Sequence, residues 1–295
     1  MVPFGLARAL MSPAAQAMVP NLVPRPLFAS AVALNSSLWQ VTTIVGPAIG
    51  GYLYAGLGPS AAYAVTAAMM GMGLIAAWAM PTPPQECTER AATLRSVLEG
   101  LVFVWRRKPL LGAISLDLFA VLFGGAVALL PAYATDILNV GPQGLGWLRA
   151  APGIGAALMG AWLTWRPIRS RAGVAMFAGV AVFGVATIIF GLSRDFALSL
   201  AALAVLGAAD MVSVFVRHLL VQLETPDAMR GRVGAVSSMF IGASNELGEF
   251  ESGLTAAWWG LEPAVVVGGV MTLGVVVLWS TFFPALRRLD RFAEH

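Results

Sequence analysis

The 295 residues are 58% hydrophobic and only 11% charged, with a mean hydropathy of +0.80, whereas a soluble domain carries about 25% charged residues. That balance points away from a soluble fold and toward a chain that lives in a bilayer. A net charge of +3 does not mark a nucleic-acid binder, because the 18 basic residues sit in short segments between apolar runs and not along one face. Lys108 is the single lysine, so no nucleotide-binding P-loop can be built, and Cys87 is the single cysteine, so no internal disulfide can form. With His218 and His295 too few for a ligand cluster and no nucleophile–base set in view, the sequence predicts no metal, no cofactor and no enzyme.

Crossing a hydrocarbon layer of about 30 Å takes roughly 20 apolar residues in a helix. A marginal run at 2–18, interrupted by Arg8 and Pro13, opens the chain without the basic start of a signal peptide. Eight clearer runs follow at 31–55, 61–80, 110–134, 145–165, 172–192, 196–220, 233–257 and 263–283. Between the second and third lies the longest polar stretch, 81–108. Pro81, Pro83 and Pro84 end a helix there, and Leu94, Leu98, Leu101, Val102 and Trp105 then recur at helical spacing beside Arg95, Glu99 and Arg106. This predicts an amphipathic helix at the membrane surface, serving as a linker packed on the protein or as a lipid contact. The expected division is residues 1–80, the linker 81–108, and a six-helix unit at 109–295.

Basic residues in short loops set orientation, since cytoplasmic loops carry the excess. Alternate loops hold Arg25; Arg90, Arg95, Arg106, Arg107 and Lys108; Arg166, Arg169 and Arg171; Arg230 and Arg232; and Arg287, Arg288 and Arg291, which is 14 residues against Arg194 alone on the other side. The expectation is a multi-pass membrane protein with a cytoplasmic C-terminus.

Sliding the chain on itself by 202 residues makes 12 of 61 positions identical, among them Gly46/Gly248, Gly51/Gly253 and Gly58/Gly260. The two stretches run the same way through the membrane, which is a parallel repeat with its axis along the membrane normal. The same offset puts the start of the first repeat about 90 residues before Met1, so the reading is a chain without the first three helices of its first half.

Two sets of residues resemble a known family. Gly46-Pro47-Ala48-Ile49-Gly50-Gly51 is similar to the antiporter signature in the fifth helix of proton-coupled exporters of the major facilitator superfamily; glycine there permits close helix approach and Pro47 removes a backbone donor. Thr225-Pro226-Asp227, Arg230-Gly231-Arg232-Val233 and Asn245-Glu246-Leu247-Gly248-Glu249, with Phe123-Gly124-Gly125, Leu130-Pro131 and Asp136, resemble the enterobactin-exporter-like bacterial branch over nearly all of the chain. The resemblance implies an all-α integral membrane fold, the major facilitator fold with about nine of its twelve helices. It also implies that the runs 61–80, 172–192 and 263–283 are peripheral helices six, nine and twelve, and that a glycine- and arginine-rich loop belonging to the front of the family is absent.

Ionisable groups at membrane depth are costly unless they face protein or water, so their positions carry the functional expectation. They are Arg8, Asp117, Arg149, Asp210, Arg217, Glu246, Glu249 and Glu251, five carboxylates against three arginines, and Asn245 accompanies them. At about 1.5 Å per residue, Asp117 and Asp210 lie roughly 12 and 15 Å from the same side and share one level. Arg217, seven residues after Asp210, falls on nearly the same face, either paired with a carboxylate or snorkelling outward. Arg149 is placed to pair with a glutamate across the outer vestibule, and every one of these groups has a structural salt bridge as its simpler role. A surplus of buried acids cannot all stay ionised, and reversible protonation of one is the chemistry of a proton-coupled exporter. The expected partners are protons, a small amphipathic substrate such as a siderophore or drug, and the lipid bilayer, with no nucleic acid or nucleotide; the alternative is a non-transporting membrane fragment or structural membrane partner.

Overall fold

The computed structural model describes residues 28–79, 94–168 and 170–289, and among these there are helices and turns but no strand. The run at 2–18 with Arg8, the proline segment from Pro81, and Arg291 lie outside the described residues. Helix α1 (Phe28–Ala79) covers two of the expected runs, and α2 (Leu94–Arg106) is an amphipathic helix, as its spacing predicts. Helix α3 (Lys108–Phe123) breaks at Gly124-Gly125 and continues through a tight turn at Ala126–Leu129 and a wide one at Tyr133–Ile137. After it come α4 (Pro142–Trp165), α5 (Ala172–Leu192), α6 (Phe196–Glu224), α7 (Asp227–Trp259), α8 (Leu261–Phe282) and the short α9 (Pro284–Arg287).

Each expected span from residue 31 onward coincides with helix, but not all of that helix is equally apolar. Five stretches are long and apolar enough to cross a membrane: Gln40–Ala79, Lys108–Ile137, Ala172–Leu192, Phe196–Glu224 and Leu261–Phe282. α4 and α7 are long enough but more polar. α4 carries Arg149 among its glycines and tryptophans, and α7 carries Asn245, Glu246, Glu249 and Glu251. A helix that faces a cavity on one side need satisfy hydrocarbon only on the other.

Van der Waals contact between helices replaces the hydrophobic effect inside a bilayer, so small residues govern where backbones meet. A methyl group added at Gly207 of α6 would overlap the Pro152 carbonyl of α4, and one at Gly155 of α4 would overlap the Ala204 carbonyl of α6. The break in α3 has the same cause: a methyl at Gly124 would run into the ring of Phe183, and one at Gly125 into Ser252 Oγ and, at 2.8 Å, the Gly248 carbonyl. α5, expected at the lipid-facing periphery, packs against α6 and α8 along one side and exposes an apolar stripe from Val174 to Leu192 along the other. Gly179 and Gly184 allow this, lying 3.0 and 3.1 Å in Cβ terms from backbone oxygens of those two helices. Only the Val182, Val185 and Ile189 side of α5 is exposed.

The apolar core forms two clusters. One, at the end that carries α2 and α9, gathers Leu110, Leu116, Met176, Val216 and Leu220; the other gathers Leu130, Tyr133, Leu148, Phe190 and Leu203. Between them lie the α3 break and the middle of α6. Exposed large side chains such as Trp78, Val182, Val277 and Phe282 lie on outer faces, where acyl chains are the matching solvent.

The internal repeat has a backbone counterpart. Gly58 interrupts α1 at φ 81°, ψ 171°, and its repeat partner Gly260 separates α7 from α8 at φ 89°, ψ 167°. Both values lie where a side chain is strained, so glycine at the two equivalent joints reflects one shared helix-to-helix turn.

Substitution separates seated glycines from open ones. Gly207→Val is expected to lower the melting temperature of the detergent-purified protein by roughly 4 °C or more, since overpacking costs about 1–3 kcal/mol. Gly274→Val, at a position with no atom within 4 Å of an added methyl, is expected to melt with the parent in the same size-exclusion stability assay.

Candidate functional site

The helix contacts just described aim polar groups at one place. Gly248 of α7 rests on the Val121 and Leu122 carbonyls of α3, at 3.0 and 3.1 Å from its would-be Cβ, which turns Asn245 and Glu249 inward. Gly207 rests on Pro152, and Asp210 follows one turn later. The result is a cavity of about 370 Å³ between α1, α3, α4, α6 and α7 whose polar lining is Gln40, Thr43, Asp210, Asn245 and Glu249. Gln40 also donates to the Gly153 carbonyl at 3.3 Å, tying α1 to α4 at the cavity wall. Among the described residues Asp210 has neither an ion pair nor a hydrogen bond.

Beside this cavity is a much smaller void lined by Asp117, Asp210 and Ser213, with room for about one water molecule. Asp210 therefore borders both spaces. Asp117 is 4% exposed and pairs with Arg217, which is 3% exposed, so α3 and α6 share a fully desolvated ion pair. Arg217 does not snorkel; it is held one and a half to two turns beyond Asp210, on the same side of α6. Ser213 Oγ and Arg217 Nε are buried without a hydrogen-bond partner among the described residues. A pair of this kind contributes little net stability, but removing one partner strands the other at a cost of about 3–5 kcal/mol.

Other expected site residues fall elsewhere. Glu246 is exposed on α7 and Glu251 is half-buried, and neither lines the cavity. Arg149 makes no ion pair with Glu246, Glu249 or Glu251, which corrects the expected vestibule bridge. The reason is topological: α4 packs on α1 and α6, whereas α7 packs on α3, α2 and α8. Arg149 instead lines a separate cavity of about 520 Å³ between α1 and α4. The glycine signature is divided in the same way. Gly51 seats α1 on α4, an added methyl meeting the Pro142 carbonyl at 2.5 Å and Gly146 Cα at 3.1 Å, while Gly46 and Gly50 have no atom within 4 Å of such a methyl. Pro47 and Gly50 line the Arg149 cavity.

The sequence reading missed Gln40, Thr43 and Ser213. All three are uncharged polar residues in apolar runs, a signal that a search for charges alone passes over. Among the described residues no group of three His, Cys, Asp or Glu side chains is placed to hold a metal.

Residues 1–294 match the family described as transmembrane secretion effector, a family of major facilitators. Curated relatives include the "Enterobactin exporter EntS" of Escherichia coli O1:K1 / APEC and of Shigella boydii serotype 18, each 28% identical over 280 residues. The alignments cover 94% of this chain and 66% of each relative, so the chain spans just under two thirds of their length.

The buried ion pair gives a direct expectation. Arg217→Leu should destabilise the protein by about 3–5 kcal/mol, and the double variant Asp117→Leu, Arg217→Leu should recover most of that loss, because a matched apolar pair leaves no stranded charge. Thermal unfolding of the purified single and double variants measures both.

Proposed function

Since the chain belongs to the transmembrane secretion effector family of major facilitator transporters, we propose that it is a proton-coupled exporter that moves a small amphipathic molecule outward by alternating access. The observation that carries this reading is the position of Asp210, an unpaired carboxylate bordering both the central cavity and the void it shares with Asp117. A coupling acid must meet the aqueous pathway to exchange its proton and must sense a fixed charge to change the energy of the carrier when it does so. Asp210 meets the cavity on one side and lies next to the Asp117–Arg217 pair on the other. With a proton bound, Asp210 is a neutral wall of an apolar-sided cavity; without one, it is a charge that the cavity must hydrate. Glu249 and Asn245, on the facing helix, supply the second polar wall for substrate.

Helices α1 and α3 to α8 correspond in this reading to helices five to twelve of a twelve-helix carrier, with the two parts of α1 as helices five and six. The open glycine faces support it. Gly248 is covered by α3 and Gly51 by α4, whereas among the described residues their repeat partners Gly46 and Gly253 have nothing within 4 Å of an added methyl. Those two bare faces are where helices equivalent by the repeat to α3 and α4 seat. The surface holding α2 and α9 is cytoplasmic in this reading, as is the C-terminus. A non-transporting membrane subunit is the second reading, favoured by the Asp117–Arg217 pair, whose full burial serves structure without any exchange of protons.

Because curated relatives are named for enterobactin export, enterobactin and Hoechst dye serve as two probes of different charge. Everted vesicles energised acid-inside should accumulate at least one of them when they contain the parent chain. Asp210→Asn should reduce that uptake at least tenfold at equal protein level, with smaller losses for Asp117→Asn and Glu249→Gln. Parent-rate uptake by Asp210→Asn would remove the coupling role, and no uptake by the parent would favour the subunit reading.

A further inference from the structure

The second cavity, of about 520 Å³, lies between α1, α4 and the wide turn after α3. Gly51 and Gly146, in backbone contact, line it together with Pro47, Val140 and Leu145, and Gly50 lines it where an added methyl would meet no atom within 4 Å among the described residues. Arg149 is the one charged side chain that lines it, and Tyr54 adds a hydroxyl. Seven residues into α4, Arg149 stands roughly 10 Å below the helix start, at a depth where an arginine needs a counter-charge.

Four other arginines of the described chain have one, while Arg106, Arg166, Arg287 and Arg288 have none among the described residues but stand at helix ends. Arg217 pairs with Asp117, Arg194 with Glu262 at 3.0 Å, Arg232 with Glu99 at 2.7 Å and Arg107 with Glu224 at 3.9 Å. Arg149 has no carboxylate partner among the described residues. The nearby acid Asp136 takes a 2.6 Å hydrogen bond from Thr135 and does not line the cavity. The two cavities thus carry opposite charge, acidic around Asp210 and Glu249 and basic around Arg149.

We infer that the α1–α4 cavity is a binding site for an amphipathic organic anion, whose carboxylate or sulfonate docks on the Arg149 guanidinium while its apolar body lies against Pro47, Val140 and Leu145. Guanidinium presents a planar fork of donors that matches such groups, and the Tyr54 hydroxyl adds a donor in the same space. The volume accommodates a ligand of about twenty non-hydrogen atoms, within the range of small-molecule sites. Calling the ligand a transport substrate rests on the exporter reading; its binding does not.

The test uses the full chain in phosphatidylcholine nanodiscs and two fluorescent probes of one shape, anionic anilinonaphthalenesulfonate and neutral phenylnaphthylamine, followed by energy transfer from tryptophan. Trp147 is two residues from Arg149 and donates to Tyr52 at 3.3 Å, so it reports on this wall. The sulfonate is expected to bind at least tenfold tighter than the neutral probe. Arg149→Gln should weaken the sulfonate at least tenfold and leave the neutral probe unchanged, and Arg149→Lys should retain part of the preference. Should Arg149→Gln fail to fold, Gly50→Leu, which adds a bulky side chain to the cavity lining, is expected to block both probes. Unchanged sulfonate affinity in Arg149→Gln, or in Gly50→Leu, overturns the site. Loss of sulfonate binding when phosphatidylglycerol replaces phosphatidylcholine overturns it as well, since a lipid headgroup is then the occupant. Binding is read without transport, so a failed efflux assay leaves this result standing, and a failed binding assay leaves the role of Asp210 standing.

Discussion

Hydrocarbon offers an ionised side chain no water, and that one constraint accounts for where Asp117, Arg217, Asp210, Glu249 and Arg149 sit. Asp117 and Arg217 meet it by pairing with each other in full burial. Asp210 and Glu249 meet it by opening onto a cavity, and Arg149 by opening onto another. The same constraint separates the helices into two kinds. α5 has no charged residue and α8 only Glu262 in its first turn, whereas α4 and α7, with Arg149 and with Glu246, Glu249 and Glu251, fall outside the five stretches apolar enough to cross a membrane.

Glycine makes those arrangements geometrically possible. The Gly207–Pro152 contact sets the height of α6 against α4 and with it the height of Asp210; the seat of Gly248 on α3 sets the height of Asn245 and Glu249. Asp210 therefore stands opposite Asn245 and Glu249 because two glycine contacts, on different helices, fix the register of both walls. Interhelical hydrogen bonds add to this hold. Trp279 Nε1 donates to Ser115 Oγ at 2.8 Å, and the buried Tyr133 hydroxyl donates to the Gly191 carbonyl at 3.1 Å. In membranes such bonds average only about 0.6 kcal/mol.

Much of this was legible in the residues. Apolar run length located the helices to within a few positions, and the 202-residue offset paired Gly58 with Gly260, which the structure places in the same backbone conformation. Helical rise put Asp117 and Asp210 at one level, and they border one void. What periodicity does not carry is which helix packs on which. Depth alone matched Arg149 to the glutamates of α7, yet neighbours in a bundle are chosen by small-residue contacts that depend on all faces at once, and α4 took α1 and α6. Counting charges likewise passed over Gln40, whose amide bridges α1 and α4 without costing the run its apolar character.

The proposed proton-coupled export requires Asp210 to change its protonation while Asp117 stays locked to Arg217. Infrared difference spectroscopy of the protein in lipid, stepped through a pH titration, reads this directly through the carbonyl stretch of a protonated carboxyl group. A titrating band that is present in the parent, absent in Asp210→Asn and retained in the double variant Asp117→Leu, Arg217→Leu is the predicted result. A parent spectrum with no titrating carboxyl band, or a band that persists in Asp210→Asn, would contradict it.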